Sequence, residues 1–149
     1  MVNALKQKAK GGESRDGLDI SLVSVSRNTL TLKHAGANRP VYIIRNNEII
    51  ELKGNKFSIG GYVEEEKVFD ENEFKLQNGD TIYLFSDGYS DQFGGGKGKK
   101  LMTRHFKEML LSIQDRPIDE HGKIMEQKLD EWKGGYEQVD DILVIGIRV

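Results

Sequence analysis

The chain has 149 residues, a formal net charge of -2, 31% charged residues and 37% hydrophobic residues. That is the length of one domain with a single core, and the near-neutral balance points to neither nucleic acid nor an anionic membrane as partner. The chain has no cysteine, which excludes a disulfide scaffold, a cysteine-ligated zinc site and a thiolate nucleophile and agrees with a cytoplasmic location.

Met1 to Gly12 is polar and lysine-rich, without the apolar core of a signal peptide, and no apolar run approaches the roughly 20 residues that span a bilayer. Val2 to Ala9 reads as the last turns of a helix ended by Gly11-Gly12. Leu18 to Val25 alternates apolar and polar residues, Arg27-Asn28 reads as a turn, and Thr29 to His34 alternates again. Val41 to Arg45 and Glu48 to Leu52 flank Asn46-Asn47, a pair that tolerates positive φ, so these runs predict an antiparallel hairpin. Lys53 to Glu66 is expected to be loop and Lys67 to Leu76 a strand with one polar face. Asn78-Gly79-Asp80 is a turn signal, and Thr81 to Ser86 is a short buried strand. Gly94 to Gly98 reads as flexible. Lys99 to Ile113 carries Leu101, Met102, His105, Phe106, Met109, Leu110 and Ile113 at helical spacing. Pro117 opens a second helix through Trp132, and Ile142 to Val149 is a final strand. Strands come first and helices late, which predicts an antiparallel α+β arrangement over residues 1–149, one domain or part of one.

Two acidic constellations could carry chemistry. In Ser86-Asp87-Gly88-Tyr89-Ser90-Asp91 a buried strand ends at an aspartate, and the following glycine lets backbone approach a ligand closely. Asp91 reaches the same site if a helical turn intervenes. In Val139-Asp140-Asp141-Ile142 two adjacent carboxylates precede the last strand. Their mutual repulsion would be offset by a hard cation such as Mg²⁺ or Mn²⁺, and Asp87 and Asp140 would meet at one rim if the two strands are neighbours. Taken alone, the same residues also suit an Asp-Gly turn and a solvated strand entry. Asp16 and Asp19 are read as turn and strand-entry residues. His34, His105 and His121 lack metal-ligand spacing; His34 is assigned to a turn hydrogen bond, His105 to a partly buried helix face and Trp132 to the core. Gly94-Gly95-Gly96-Lys97-Gly98-Lys99-Lys100 is not a phosphate loop, since Phe93 stands where glycine is needed and Lys100 where Ser or Thr is needed. It reads as a mobile basic flap, or simply as a solvated loop.

The run Ser86-Asp87-Gly88-Tyr89-Ser90-Asp91-Gln92-Phe93-Gly94-Gly95 resembles the late metal-binding motif of SpoIIE-like phosphatases, members of the metal-dependent PPM (type 2C) protein phosphatases. Val139-Asp140-Asp141-Ile142 resembles their closing motif. Asp16-Gly17-Leu18-Asp19-Ile20 and His34-Ala35-Gly36-Ala37-Asn38-Arg39-Pro40 match in order and spacing. The resemblance implies a four-layer α/β/β/α sandwich of antiparallel sheets with two Mn²⁺ or Mg²⁺ ions at one edge. Asp87 and Asp140 would be the ligands, Asp91 an outer-shell or accessory-metal residue, and Asp141 the residue after the ligand, a less direct contributor. It implies hydrolysis of phosphoserine and phosphothreonine by metal-activated water, a phosphoprotein substrate such as an anti-sigma-factor antagonist, and a parent protein carrying a sensor domain. The family's early Asp-Gly-His-Gly segment, whose aspartate bridges both metals, has no counterpart in this sequence. The expectation is therefore a domain incomplete at its N-terminus, low activity for this chain alone, and open sheet edges that favour a homodimer. The rival expectations are a non-catalytic regulatory module that keeps the phosphatase-like fold, and a hydrolase of small phosphate esters.

Overall fold

A computed structural model describes residues 17–60 and 67–149. The expected helix at Val2 to Ala9, Asp16, and the acidic end of the Lys53 to Glu66 segment lie outside the described residues. The chain forms two compact units. One holds residues up to Val41 together with Leu52–Leu76, and the other holds Tyr42–Glu51 and Gln77–Val149.

The first unit starts with β1 (Gly17–Leu18), β2 (Ile20–Ser26) and β3 (Thr31–Ala37). The β2–β3 pair runs antiparallel from Ile20↔Ala37 to Ser26↔Thr31. The alternation of β2 is visible in its burial, which switches at every residue. The chain then passes through β4 (Val41–Arg45) and β5 (Glu48–Leu52). It returns to the first unit as β6 (Ile59–Gly60), which pairs with β1, and β7 (Asn72–Lys75), which pairs with β3. The strand expected from Lys67 to Leu76 is thus four residues long, and the expected loop contains β6. Asp19 sits at the strand entry as expected, where Asn38 Nδ2 and Ser58 Oγ donate to its Oδ1 at 2.9 and 2.5 Å. Burial alone would raise the Asp19 pKa; hydrogen bonds from Ser58 and Asn38 and the charge of Arg39 outweigh it and hold the carboxyl below its usual range.

His34 is buried on β3, 1% exposed, with a Cβ at Gly36 falling 2.9 Å from its Nε2. Burial lowers its pKa, because the charged imidazolium loses hydration. A folded-state pKa below the unfolded one means that protonation favours the unfolded chain. Stability is therefore held above about pH 6.5 and lost as pH falls below that value. We expect His34→Gln to flatten that acid limb in denaturant titrations between pH 7 and 5; an unchanged limb would show that the imidazole is hydrated in the folded chain.

The second unit is a four-stranded antiparallel sheet, in the order β11 (Val144–Arg148), β8 (Thr81–Phe85), β4 and β5, with the helices. Its hairpin β4–β5 turns at Asn46-Asn47 with φ of 49° and 64°, the left-handed geometry that asparagine tolerates. The Asn78-Gly79 turn, with Gly79 at φ 94°, leads into β8 (Thr81–Phe85). There follow α1 (Gly88–Asp91), β9 (Phe93–Gly94), β10 (Lys99–Lys100), α2 (Met102–Leu111), α3 (Ile118–Lys133) and β11 (Val144–Arg148). The segment read as a flexible flap is a small hairpin, β9 paired with β10. It rests on Trp132, whose carbonyl oxygen would lie 2.0 Å from a Cβ at Gly94. Because Lys99 and Lys100 belong to that hairpin, α2 is shorter than its hydrophobic periodicity.

The unit's core is aromatic and aliphatic: Tyr42, Ile44, Tyr83 and Tyr89 with Leu101, Phe106, Leu110 and Ile113 of the α2 region and Met125 of α3. Trp132 packs partly buried against it. His105 is exposed rather than half-buried; its ring stacks on Trp132 at 6.2 Å and its Nδ1 lies 2.7 Å from the Leu101 carbonyl oxygen.

Candidate active site

The site begins with the pairing of β8 and β11. Phe85 lies opposite Val144 and Thr81 opposite Arg148, so the end of β8 and the start of β11 fall at one rim of the sheet. This juxtaposition brings the Asp87 and Asp140 motifs to the same rim. Beyond Phe85 the ladder is extended by a side chain. The Ser86 N–H donates to the Leu143 carbonyl at 3.0 Å, the Leu143 N–H donates to Ser86 Oγ at 3.0 Å, and Ser86 Oγ donates to the Asp141 carbonyl at 2.7 Å.

Gly88 explains why the motif carries glycine there. A Cβ at that position would lie 2.4 Å from the Asp141 carbonyl oxygen and 3.0 Å from Ile142 Cγ1. Backbone packs directly on backbone, and the two acidic motifs are in contact. Asp87 caps the short α1: its carbonyl accepts from the Asp91 N–H and from Ser90 Oγ, both at 2.9 Å. The helical turn between Asp87 and Asp91 is therefore present. Asp91, however, is engaged by Lys100, Nζ to Oδ2 at 2.9 Å, with both side chains about two-fifths exposed. Asp140 Oδ1 accepts the Asp141 N–H at 2.7 Å, and the Asp140 carbonyl accepts from Gln138 Nε2 at 2.8 Å. Asp140 and Asp141 are exposed.

Hard oxygen donors at one strand end are the chemistry that Mg²⁺ and Mn²⁺ prefer. The donor type fits, but the number falls short: among the described residues no group of three or more acidic, histidine or cysteine side chains is arranged to hold a metal ion. Two residues that sequence reasoning passed over join the site, Ser86 and the fully buried Gln92, whose Nε2 donates to the Glu137 carbonyl at 2.9 Å. Ser86 has a signal, a hydroxyl directly before the aspartate at the end of an apolar strand. Gln92 has none, because its partner is 45 residues away.

The model of the Stage II sporulation protein E (SpoIIE) family matches residues 8–149. The chain belongs to the SpoIIE family. Among solved structures, the SiaA-PP2C domain of Pseudomonas aeruginosa is similar at 34% identity and a TM-score of 0.80, over 88% of this chain and 51% of that one. The PP2C phosphatase domain of SpoIIE from Bacillus subtilis, solved with a fragment of its regulatory domain, matches at 18% identity and a TM-score of 0.71, over 88% and 37%. The RsbU and RsbW domains of a Mycobacterium tuberculosis protein match at 18% identity and 0.68, over 87% and 35%. No curated protein matches. This SpoIIE-family chain thus has the mixed α/β, antiparallel-sheet fold of PP2C phosphatase domains and spans 35–51% of the length of these three structures.

Proposed function

We propose that the chain supplies the Asp87 and Asp140 half of a Mn²⁺- or Mg²⁺-dependent phosphoserine/phosphothreonine protein phosphatase site. The observation that supports this is the direct packing of Gly88 on Asp141, which sets the two acidic motifs at one sheet rim. Asp87 and Asp140 would act as ligands, with the remaining donors supplied from outside the described residues. When bound, the metal supplies neutralisation of phosphate charge and an acidified water. Asp141 holds the backbone position beside Gly88, and Asp91, paired with Lys100, is the accessory position. Lys97 and Lys99 stand exposed on the β9–β10 hairpin, in reach of an anionic substrate by long-range attraction. A phosphoprotein such as an anti-sigma-factor antagonist is the partner that the family resemblance suggests.

The short donor count among the described residues favours a second reading, a regulatory module that keeps the fold without turnover. Mn²⁺-dependent phosphate release from a phosphoserine peptide separates the two. It is measured on this chain and on a chain extended to the length of the matched domains. The expected result is little turnover by this chain and clear turnover by the extended one, with Asp87→Asn lowering the latter by about 100-fold or more, the scale of losing one electrostatic stabiliser from a site. Absence of turnover in both chains would favour the regulatory module; faster release of small phosphate esters than of phosphopeptide would favour an esterase.

A further inference from the structure

Residues 137–143 carry Asp140 and Asp141 without a helix or strand of their own, and 137–141 are exposed throughout. An exposed segment with no backbone ladder samples many conformations unless something ties it down. Here both ends are tied, and both ties come from the segment that carries Asp87. At the upstream end, Gln92 Nε2 donates to the Glu137 carbonyl at 2.9 Å. At the downstream end, Ser86 Oγ donates to the Asp141 carbonyl at 2.7 Å and accepts the Leu143 N–H at 3.0 Å.

The Gln92 side chain is built for this. It is fully buried, and its Nε2 also donates to the Phe93 carbonyl at 3.0 Å. The amide orientation is forced, since a flip would set its oxygen against two carbonyl oxygens. Its backbone carbonyl is fixed by Trp132 Nε1 at 3.1 Å and by the Leu101 N–H at 3.0 Å. Its Oε1 is buried without a hydrogen-bond partner among the described residues. A buried acceptor left unpaired is costly and calls for an explanation; the explanation here is that the amide is held for its donor side.

We propose that Ser86 and Gln92 are positioning residues that fix Asp140 relative to Asp87, clamping residues 137–143 at both ends. The proposal rests on the reading of Asp87 and Asp140 as metal ligands, but its geometric part can be tested separately. The experiment takes the chain extended to the length of the matched domains, unsubstituted and with Ser86→Ala, Ser86→Thr, Gln92→Leu and Asp87→Asn. Hydrogen exchange at the Leu143 amide, the Mn²⁺ dissociation constant from the paramagnetic resonance of free Mn²⁺, and Tm are measured on each. Ser86→Ala is expected to speed Leu143 exchange by about tenfold, the scale of one lost hydrogen bond. Ser86→Ala and Gln92→Leu should each weaken Mn²⁺ binding by about 10- to 100-fold, as loss of an outer partner of a ligand does. Ser86→Thr, which keeps the hydroxyl, should restore both readouts. Unchanged Leu143 exchange in Ser86→Ala overturns the clamp. Unchanged Mn²⁺ affinity in Ser86→Ala and Gln92→Leu, with affinity lost in Asp87→Asn, overturns the positioning role while leaving the metal reading intact. Absence of Mn²⁺ binding by the unsubstituted chain overturns the metal reading, and the clamp is then decided by the exchange rates alone.

Discussion

Replacing Asp80 with alanine is expected to cost about 3 kcal/mol and to lower Tm by about 6–12 °C. Asp80 is 2% exposed and lies just before β8. Arg45 grips it as a fork, Nε to Oδ1 at 2.9 Å and Nη2 to Oδ2 at 2.7 Å, and the Gln77 N–H donates to Oδ2 at 2.9 Å. Removing the carboxylate takes two hydrogen bonds from the guanidinium and one from a backbone donor together. Loss of one partner of a buried pair costs about 3–5 kcal/mol; the Arg45 side chain is 21% exposed, so water relieves part of that and the lower end applies. Arg45→Lys should recover little, since an ammonium cannot match both oxygens. Burial alone would raise the Asp80 pKa, but the hydrogen bonds from Arg45 and Gln77 and the Arg45 charge win and hold it below the usual range. Its contribution is therefore present above the unfolded pKa of about 3.9 and is lost as pH falls through the folded value. Thermal unfolding at pH 7 checks this. A loss under about 1 kcal/mol would mean that the pair behaves as a surface ion pair.

Phe106→Ala should cost about 3–5 kcal/mol, a large share of the 5–15 kcal/mol that holds a typical domain. Phe106 is 1% exposed and is the hub of an aromatic cluster, with ring centroids 4.9 Å from Phe85, 5.0 Å from Tyr89 and 6.5 Å from Tyr42. It joins α2 to β8 and α1, so the cavity would open directly beneath the strand end that carries Asp87. Phe106→Leu, which fills most of the volume, should cost less than half as much. Urea unfolding of both variants measures the difference; equal costs would mean that the cluster geometry, rather than the filled volume, supplies the stability.

The sequence by itself determined the local pieces. The Asn46-Asn47 hairpin, the Asn78-Gly79 turn, the Thr81 strand and the apolar stripe of α2 depend on residues within a few positions of one another, where backbone sterics and hydrophobic period act directly. Asp87, Asp91, Asp140 and Asp141, the proposed site residues, stand out in the sequence only through their motifs, which are also local. Tertiary structure decided which of these pieces meet. The β8–β11 pairing, the Ser86 bridge to Asp141 across 55 residues, the reach of Gln92 to Glu137 and the Arg45–Asp80 fork all join distant segments. The burial of a polar side chain such as Gln92 is likewise set by what packs around it rather than by its neighbours in sequence. Local spacing carries no record of such contacts, because chain closure and side-chain packing choose them only once the sheet has formed.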